Sequence, residues 1–419
     1  MSTGNYDYIP MKFSFSEISR IWPIAKRRTG EKIVSWVQRL FSNDRLVKDV
    51  FGRRRDKRVL MCHLPEAFTG KAQPKHHSNL TECIVVAKCF DRLGYSVDCS
   101  SRTKTGIDYS PDDIVFGING NAFMGSFSAD AGIKPLRIFY SVGAETCFNY
   151  RKTSMRNLEF NERHGRWFLD SNRYMPGDPR NYYEAHFSDA VICLGNEYVH
   201  RQFIDEDCDK ERYSWMQAFY FRVKEPDKEK DFAVCRRSIL WFSSTGLLHK
   251  GLDIAIDFAV AHPEFTLHIC GSSSKEKDFW NYYNPIVKQC RNIVTHGFVN
   301  VESKAFADIL AQCGIILNPT ISEGCAVSML NVVGNSAIFP VYSQATGFDF
   351  EGNGIVVEDV TYAAFEEALL RADALPLETF GAQAFAAHRL VREACTVEKY
   401  EENMYNLLKD IIENNKKQR

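Results

Sequence analysis

The 419-residue sequence predicts an α/β protein of two successive parallel-sheet domains, preceded by a basic, amphipathic helical extension. Three observations carry this. The length exceeds one ordinary core and fits two domains of about 150–200 residues each. From residue 59 onward, short apolar runs rich in β-branched and aromatic residues alternate with helical stretches, the pattern of parallel strands joined by crossover helices. That series is interrupted once, by the charged, proline-containing run Lys224–Asp231, and then starts again.

The extension comes first. Residues 11–58 hold 14 Lys/Arg against 5 Asp/Glu, and Ile33, Trp36, Val37, Leu40 and Phe41 recur at helical spacing before Arg53-Arg54-Arg55. An amphipathic basic helix follows, which either packs on the protein's own surface with a solvated basic tail or lies on an anionic membrane. The first domain, residues 59–225, starts with a strand at Val59–Leu64. A glycine-containing loop at 68–79 leads to a helix at about 80–93, ended by Gly94, and strands follow at Tyr95–Asp98, Ile114–Ile118, Leu136–Tyr140 and Ala190–Leu194. The polar, aromatic stretch 150–188 reads as helix plus a long loop. The second domain, residues 236–395, carries strands at Ile239–Phe242, Thr266–Cys270, Ile293–Thr295, Gly314–Leu317, Ala337–Val341 and Gly354–Val357. A last helix within 396–419, from about 397 to 414, is expected to return and brace the first domain.

Composition and motifs exclude several functions. Hydrophobic residues at 45% and charged residues at 25% describe a globular chain, and a net charge of -1 gives no basic field for nucleic acid. The 13 cysteines fall mostly in apolar runs without a CxxC pair and read as reduced thiols. No apolar run of about 18 residues is present, so the expectation is a cytoplasmic protein, at most peripheral on the inner face of a membrane. Thr69-Gly70-Lys71 lacks the upstream glycine of a P-loop, and no Gly-x-Ser-x-Gly elbow occurs. The run from Asp205 begins like a calcium loop, yet Lys210 and Met216 stand where glycine and a bidentate glutamate are required.

The chemistry-bearing residues cluster at strand ends. Asn318 to Asn331 follows a buried strand through Ser322, Glu323 and Gly324 into a helix beginning near Val327 and Ser328. Such a turn aims free N–H groups and the positive end of a helix at an anion, at the carboxyl edge where open α/β sheets bind ligands. Glu323 at its mouth either accepts hydrogen bonds from sugar hydroxyls or caps the helix. Gly246-Leu247-Leu248-His249-Lys250-Gly251 opens another helix after a strand, offering a point charge to a diphosphate and a close backbone approach at Gly251. His296-Gly297-Phe298-Val299 follows a third strand and suits a base or ribose. In the first domain the loop after the first strand carries Gly70, His76, His77 and Asn79; the two histidines lack a third ligand at metal spacing, so no metal is expected. Glu145, after Tyr140-Ser141-Val142-Gly143-Ala144, sits at the same edge.

Taken together, Lys250-Gly251-Leu252-Asp253, Ile269-Cys270-Gly271, His296-Gly297, Ser322-Glu323-Gly324 and Ser343-Gln344-Ala345-Thr346-Gly347 resemble the donor domain of family-4 retaining glycosyltransferases. The resemblance covers residues 236–400 well and the first domain loosely. It implies two facing Rossmann-like domains, the GT-B arrangement, and a nucleotide-diphosphate sugar as co-substrate without a cofactor. It also places the loop of Gly70, His76, His77 and Asn79 at the cleft. Lys250 then binds the diphosphate, Glu323 the donor sugar, and a glycan or lipid-linked molecule accepts it with retention. Glu145 takes the place of a His or Asp that lines the reaction centre in relatives. Two positions depart from the pattern: Thr245 replaces an arginine at the phosphates, and Asn331 replaces the second glutamate at the ribose. The change removes a bidentate phosphate contact and a charge. A weakly catalytic sugar-binding protein and a nucleotide-sugar epimerase of the same fold remain alternatives.

Overall fold

The structure is a computed structural model that describes residues 45–69, 78–128, 134–168, 180–205, 209–223, 230–271 and 274–418. The predicted helix at 33–41 lies outside these residues.

Two sheets organise the chain. The first holds β1 (Leu46–Val47), β2 (Arg58–His63), β3 (Ser96–Ser101), β4 (Ile114–Gly117), β5 (Leu136–Ser141), β6 (Ala190–Leu194) and β7 (Tyr213–Met216), in spatial order β1-β3-β2-β4-β5-β6-β7. The second holds β8 (Ser238–Phe242), β9 (Thr266–Cys270), β10 (Ile293–Gly297), β11 (Ile315–Asn318), β12 (Phe339–Ser343) and β13 (Ile355–Val357), in order β10-β9-β8-β11-β12-β13. Every pairing is parallel except the antiparallel β1–β3 edge. The inner strands are buried on both faces, which is why they read as continuous apolar runs; all five residues of β6 are buried.

The helices that position the site are α1 (Ser78–Arg92), α2 (Thr146–His164), α3 (Glu197–Ile204), α4 (Leu252–Ala261), α5 (Val327–Asn335), α6 (Leu377–Ala394) and α7 (Val397–Gln418). Helix α7 lies on α1. The Tyr400 and Tyr140 hydroxyls meet at 2.9 Å in the interior, and Arg92 pairs with Glu401 at 2.9 Å and stacks over Tyr405. Helix α2 belongs to the first half in sequence but reaches the second core, where Phe160 packs in the cluster of Trp241 and Phe258. Its Arg156 makes a fully buried ion pair with Asp253 of α4.

Residues 46–58, read from sequence as the end of the basic extension, are instead part of the first sheet's edge. Leu46 and Val47 pair with β3, and Asp49 N–H donates to Asp98 at 2.8 Å. The arginines expected to be a solvated tail are anchored, since Arg53 and Arg55 both pair with Asp91, at 2.6 and 2.9 Å.

Candidate active site

Two loops from the second sheet build the site. After β8 the chain turns through Ser243, Ser244, Thr245 and Gly246, and the buried Glu276 carboxylate accepts the N–H groups of Gly246 and Leu247. That turn delivers Lys250, whose carbonyl accepts from the Trp241 indole at 2.9 Å. After β11, residues 319–324 run beside it. Ile321 N–H donates to His249 O at 3.1 Å, and His249 Nε2 donates to Ser322 O at 2.6 Å. Residues flanking Lys250 are thus bonded to residues flanking Glu323, and the two side chains meet. The Lys250 ammonium pairs with Glu323 Oε1, with both side chains about nine-tenths buried. Thr320 Oγ1 donates to the same oxygen at 3.4 Å.

Glu323 does not cap α5. That helix starts after Ala326 with no side-chain cap, leaving the carboxylate to face Lys250 and the cleft. Gly324 is where the two sheets touch: a Cβ there would lie 2.7 Å from Val142 O and 2.8 Å from Leu194 O, at the ends of β5 and β6. A Cβ at Gly195 would lie 2.7 Å from the Gly324 carbonyl, so a side chain at Gly195 or Gly324 pushes the two halves apart, while one at Gly347 would collide with the Gly324 carbonyl within the second half.

The Lys250–Glu323 pair borders a cavity of about 390 Å³, within the usual range for small-molecule sites. Its walls are Ser243, Ser244, Gly271, Phe298–Val301, the start of α5 at Val327 and Ser328, Asn331, and Ser78 and Asn79 from α1. A smaller cavity of about 200 Å³ shares Glu323 with it, is also lined by Ser322, and is closed by the first sheet's edge: Asn119, Ser141–Ala144, Thr146 and Asn149. Cys325 lines the larger cavity, but burial pushes its thiol up to about 12, so it holds no thiolate nucleophile at neutral pH.

The structure therefore brings together Lys250, Glu323, Gly271, Val327, Ser328, Asn331 and Asn79 of the sequence-predicted site, with Ser322 in the smaller cavity. Other predicted residues go elsewhere. Gly251 approaches its own chain and not a ligand: it adopts φ +65° as α4 begins, and a Cβ would meet Pro319 at 2.3 Å. Thr245 is half-buried in the turn and off the cavity wall, where Ser243 and Ser244 supply hydroxyls. His296 stacks on His268 with Nε2 3.0 Å from His268 Nδ1; burial lowers both imidazoles, and burial together with His296 brings His268 to about 4. Gly297 turns the chain at φ +65°, so that Phe298–Val301, not the glycine, face the cavity.

Asn331 lines the cavity, but its Oδ1 accepts Phe221 N–H at 2.7 Å, which leaves its amide to donate. Glu145 is a helix cap and not a reaction-centre residue. Its carboxylate is buried beneath α2 and accepts Phe148 N–H at 2.7 Å. Burial raises its pKa, but His186 and the N–H groups of Cys147 and Phe148 outweigh burial and hold it below the ordinary range. Gly70, His76 and His77 lie outside the described residues. Ser243, Ser244, Phe221, Asn300 and Val301 were not anticipated, whereas Phe298 and Val299 belong to the predicted element His296-Gly297-Phe298-Val299. Among the described residues no cluster of three or more His, Cys, Asp or Glu is placed to hold a metal ion, and no helix is long and apolar enough to cross a membrane.

The sequence matches no family model and no curated protein. The architecture is nonetheless similar to solved structures. Anabaena HepE, solved with UDP and glucose, superposes with a TM-score of 0.56 at 11% identity over 85% of this chain and 100% of its own. Sucrose-phosphate synthase from Thermosynechococcus elongatus gives 0.59 at 10% identity, over 86% and 100%. A glycosyltransferase from Rickettsia africae gives 0.54 at 12%, over 86% and 100%. The chain has the GT-B fold.

Proposed function

We propose that this protein is a glycosyltransferase that moves a sugar from a nucleotide-diphosphate sugar to a hydroxyl of a glycan or lipid-linked acceptor. One observation carries the reading: the ion-paired Lys250 and Glu323 border the larger cavity, and Glu323 also lines the smaller one against the first sheet's edge. The donor takes the larger cavity. Its diphosphate lies against Lys250 and the start of α5, where the ammonium and the helix N-terminus meet the negative charge that grows on the leaving group. Its sugar lies against Glu323, and its base and ribose against Phe298–Val301 and Asn331. The acceptor hydroxyl enters from the smaller cavity, and transfer proceeds with retention and without a metal. HepE was solved with UDP-glucose, which makes that donor the first to test.

Entry of the diphosphate breaks the Lys250–Glu323 pair, so donor binding itself releases Glu323 toward the sugar. Incubation with UDP-glucose and without acceptor should liberate glucose slowly in the wild type and not in Glu323→Ala. A panel of nucleotide sugars that binds without any being hydrolysed or transferred would instead favour a binding module, and a changed sugar still attached to its nucleotide an epimerase. The anionic-membrane role of residues 11–58 belongs to the same proposal. Because residues 46–58 are built into the first sheet, its test is removal of residues 1–44, with loss of binding to anionic vesicles at low salt as the expected result.

A further inference from the structure

A third cavity, of about 630 Å³, lies apart from the Lys250–Glu323 pair, between the two sheets at their free edges. Strand β7 ends the first sheet and β13 ends the second, and each presents a large apolar side chain to this groove: Trp215 is 41% exposed and Val356 47%. Exposed apolar groups facing each other from two sheets across one concave space call for an occupant. Polar side chains surround them. Gln217 extends from the end of β7, Asn196 from the start of α3, Gln344 from the end of β12, and Asp349 and Glu351 from the following loop.

We propose that this groove binds a neutral oligosaccharide. An indole face packs against the C–H face of a pyranose, burying apolar area, while amide and carboxylate groups at the rim bond the hydroxyls in the plane of the ring. Charge argues for a neutral ligand over an acidic one. Arg201, the cation of the groove among the described residues, is paired with Glu197 at 2.5 Å, and the neighbouring Asp349 and Glu351 repel anions. The volume suits a short chain and not a protein surface. Binding here involves no nucleotide and no bond is made, so the inference stands or falls independently of sugar transfer.

The test applies the full-length protein, without nucleotide, to an array of neutral oligosaccharides that also carries sialylated and sulfated glycans. Retention on neutral glycans is expected, with the apparent affinity falling at least tenfold in Trp215→Ala, as for an aromatic anchor, and falling also in Asp349→Asn, which keeps an oxygen to accept the Glu351 N–H. UDP affinity should be the same in all three proteins. No retention, retention on acidic glycans alone, or retention that both variants keep would overturn the assignment. So would loss in Asn149→Ala but not in Trp215→Ala, because the sugar would then occupy the small cavity beside Glu323.

Discussion

The carboxyl edge of the second sheet carries charge, with Lys250 and Glu323 paired and nearly buried, whereas the edge of the first sheet opposite them carries Asn119, Ser141, Thr146 and Asn149. Both halves use the same parallel architecture and end on the same cleft, so architecture alone does not set what each edge binds. The difference comes from one local arrangement. In the second half, two neighbouring loops are stitched together through His249 and force opposite charges into contact; in the first half the buried carboxylate at the corresponding edge, Glu145, is consumed as a cap of α2. A charged edge therefore faces a neutral one, and Glu323 lines both cavities.

The largest expected effect tests the charged side. Lys250→Ala removes a charge-assisted bond of about 1.5–3 kcal/mol to the diphosphate, so UDP affinity should fall roughly 10- to 100-fold by calorimetry. It also removes the ammonium from beside the Glu323 carboxylate. Glu323→Ala removes the carboxylate beside the Lys250 ammonium, and should bind UDP as tightly as the wild type or tighter while losing transfer. Equal loss of UDP in both folded variants would show that the pair is structural and would erase the contrast between the edges.

A smaller effect sharpens the neutral side. Asn149→Ala should raise the acceptor KM about 3- to 10-fold, the value of one ordinary hydrogen bond, and leave UDP binding and donor hydrolysis alone. A change in UDP affinity instead would move the donor into the smaller cavity. The smallest expected effect is the His268 part of the pH response, in the second half. His268 is held neutral, its pKa near 4 in the fold against 6.5 in the unfolded chain, so the unfolded chain takes up the proton first. Its contribution to stability is present above about pH 6.5 and is lost as pH falls toward 4. Melting temperatures recorded between these limits should drop less steeply for His268→Gln than for the wild type.

Much of this was legible in the residues because buried parallel strands announce themselves locally. Ala190–Leu194 and Thr266–Cys270 coincide with β6 and β9, and the helix start at Val327 was found from one strand-turn-helix signature. Strand β7 was not seen, because at a sheet edge Tyr213-Ser214-Trp215-Met216 mixes buried and exposed positions and breaks the apolar run. Site residues depended on distance in sequence. Lys250 and Glu323 could be named because each sits at the end of its own strand, but their pairing required two loops to meet. Asn331 looked like a plain ribose contact until Phe221, 110 residues earlier, claimed its oxygen. Gly251 advertised room for a ligand, whereas the room is filled by Pro319.

The return of α7 to the first half has a consequence for how the molecule is made. Tyr140 leaves the ribosome 260 residues before Tyr400, the partner of its buried hydroxyl. At about 5–20 residues per second, that interval is roughly 13–52 s of synthesis. Once β7 has been made the first sheet is complete in sequence, yet the face of α1 that carries Cys89 and Arg92 has no cover until Glu401 and Tyr405 follow. The nascent chain therefore carries an uncovered face of α1 on its earlier half until α7 emerges, and a chain that stops before Val397 lacks that cover.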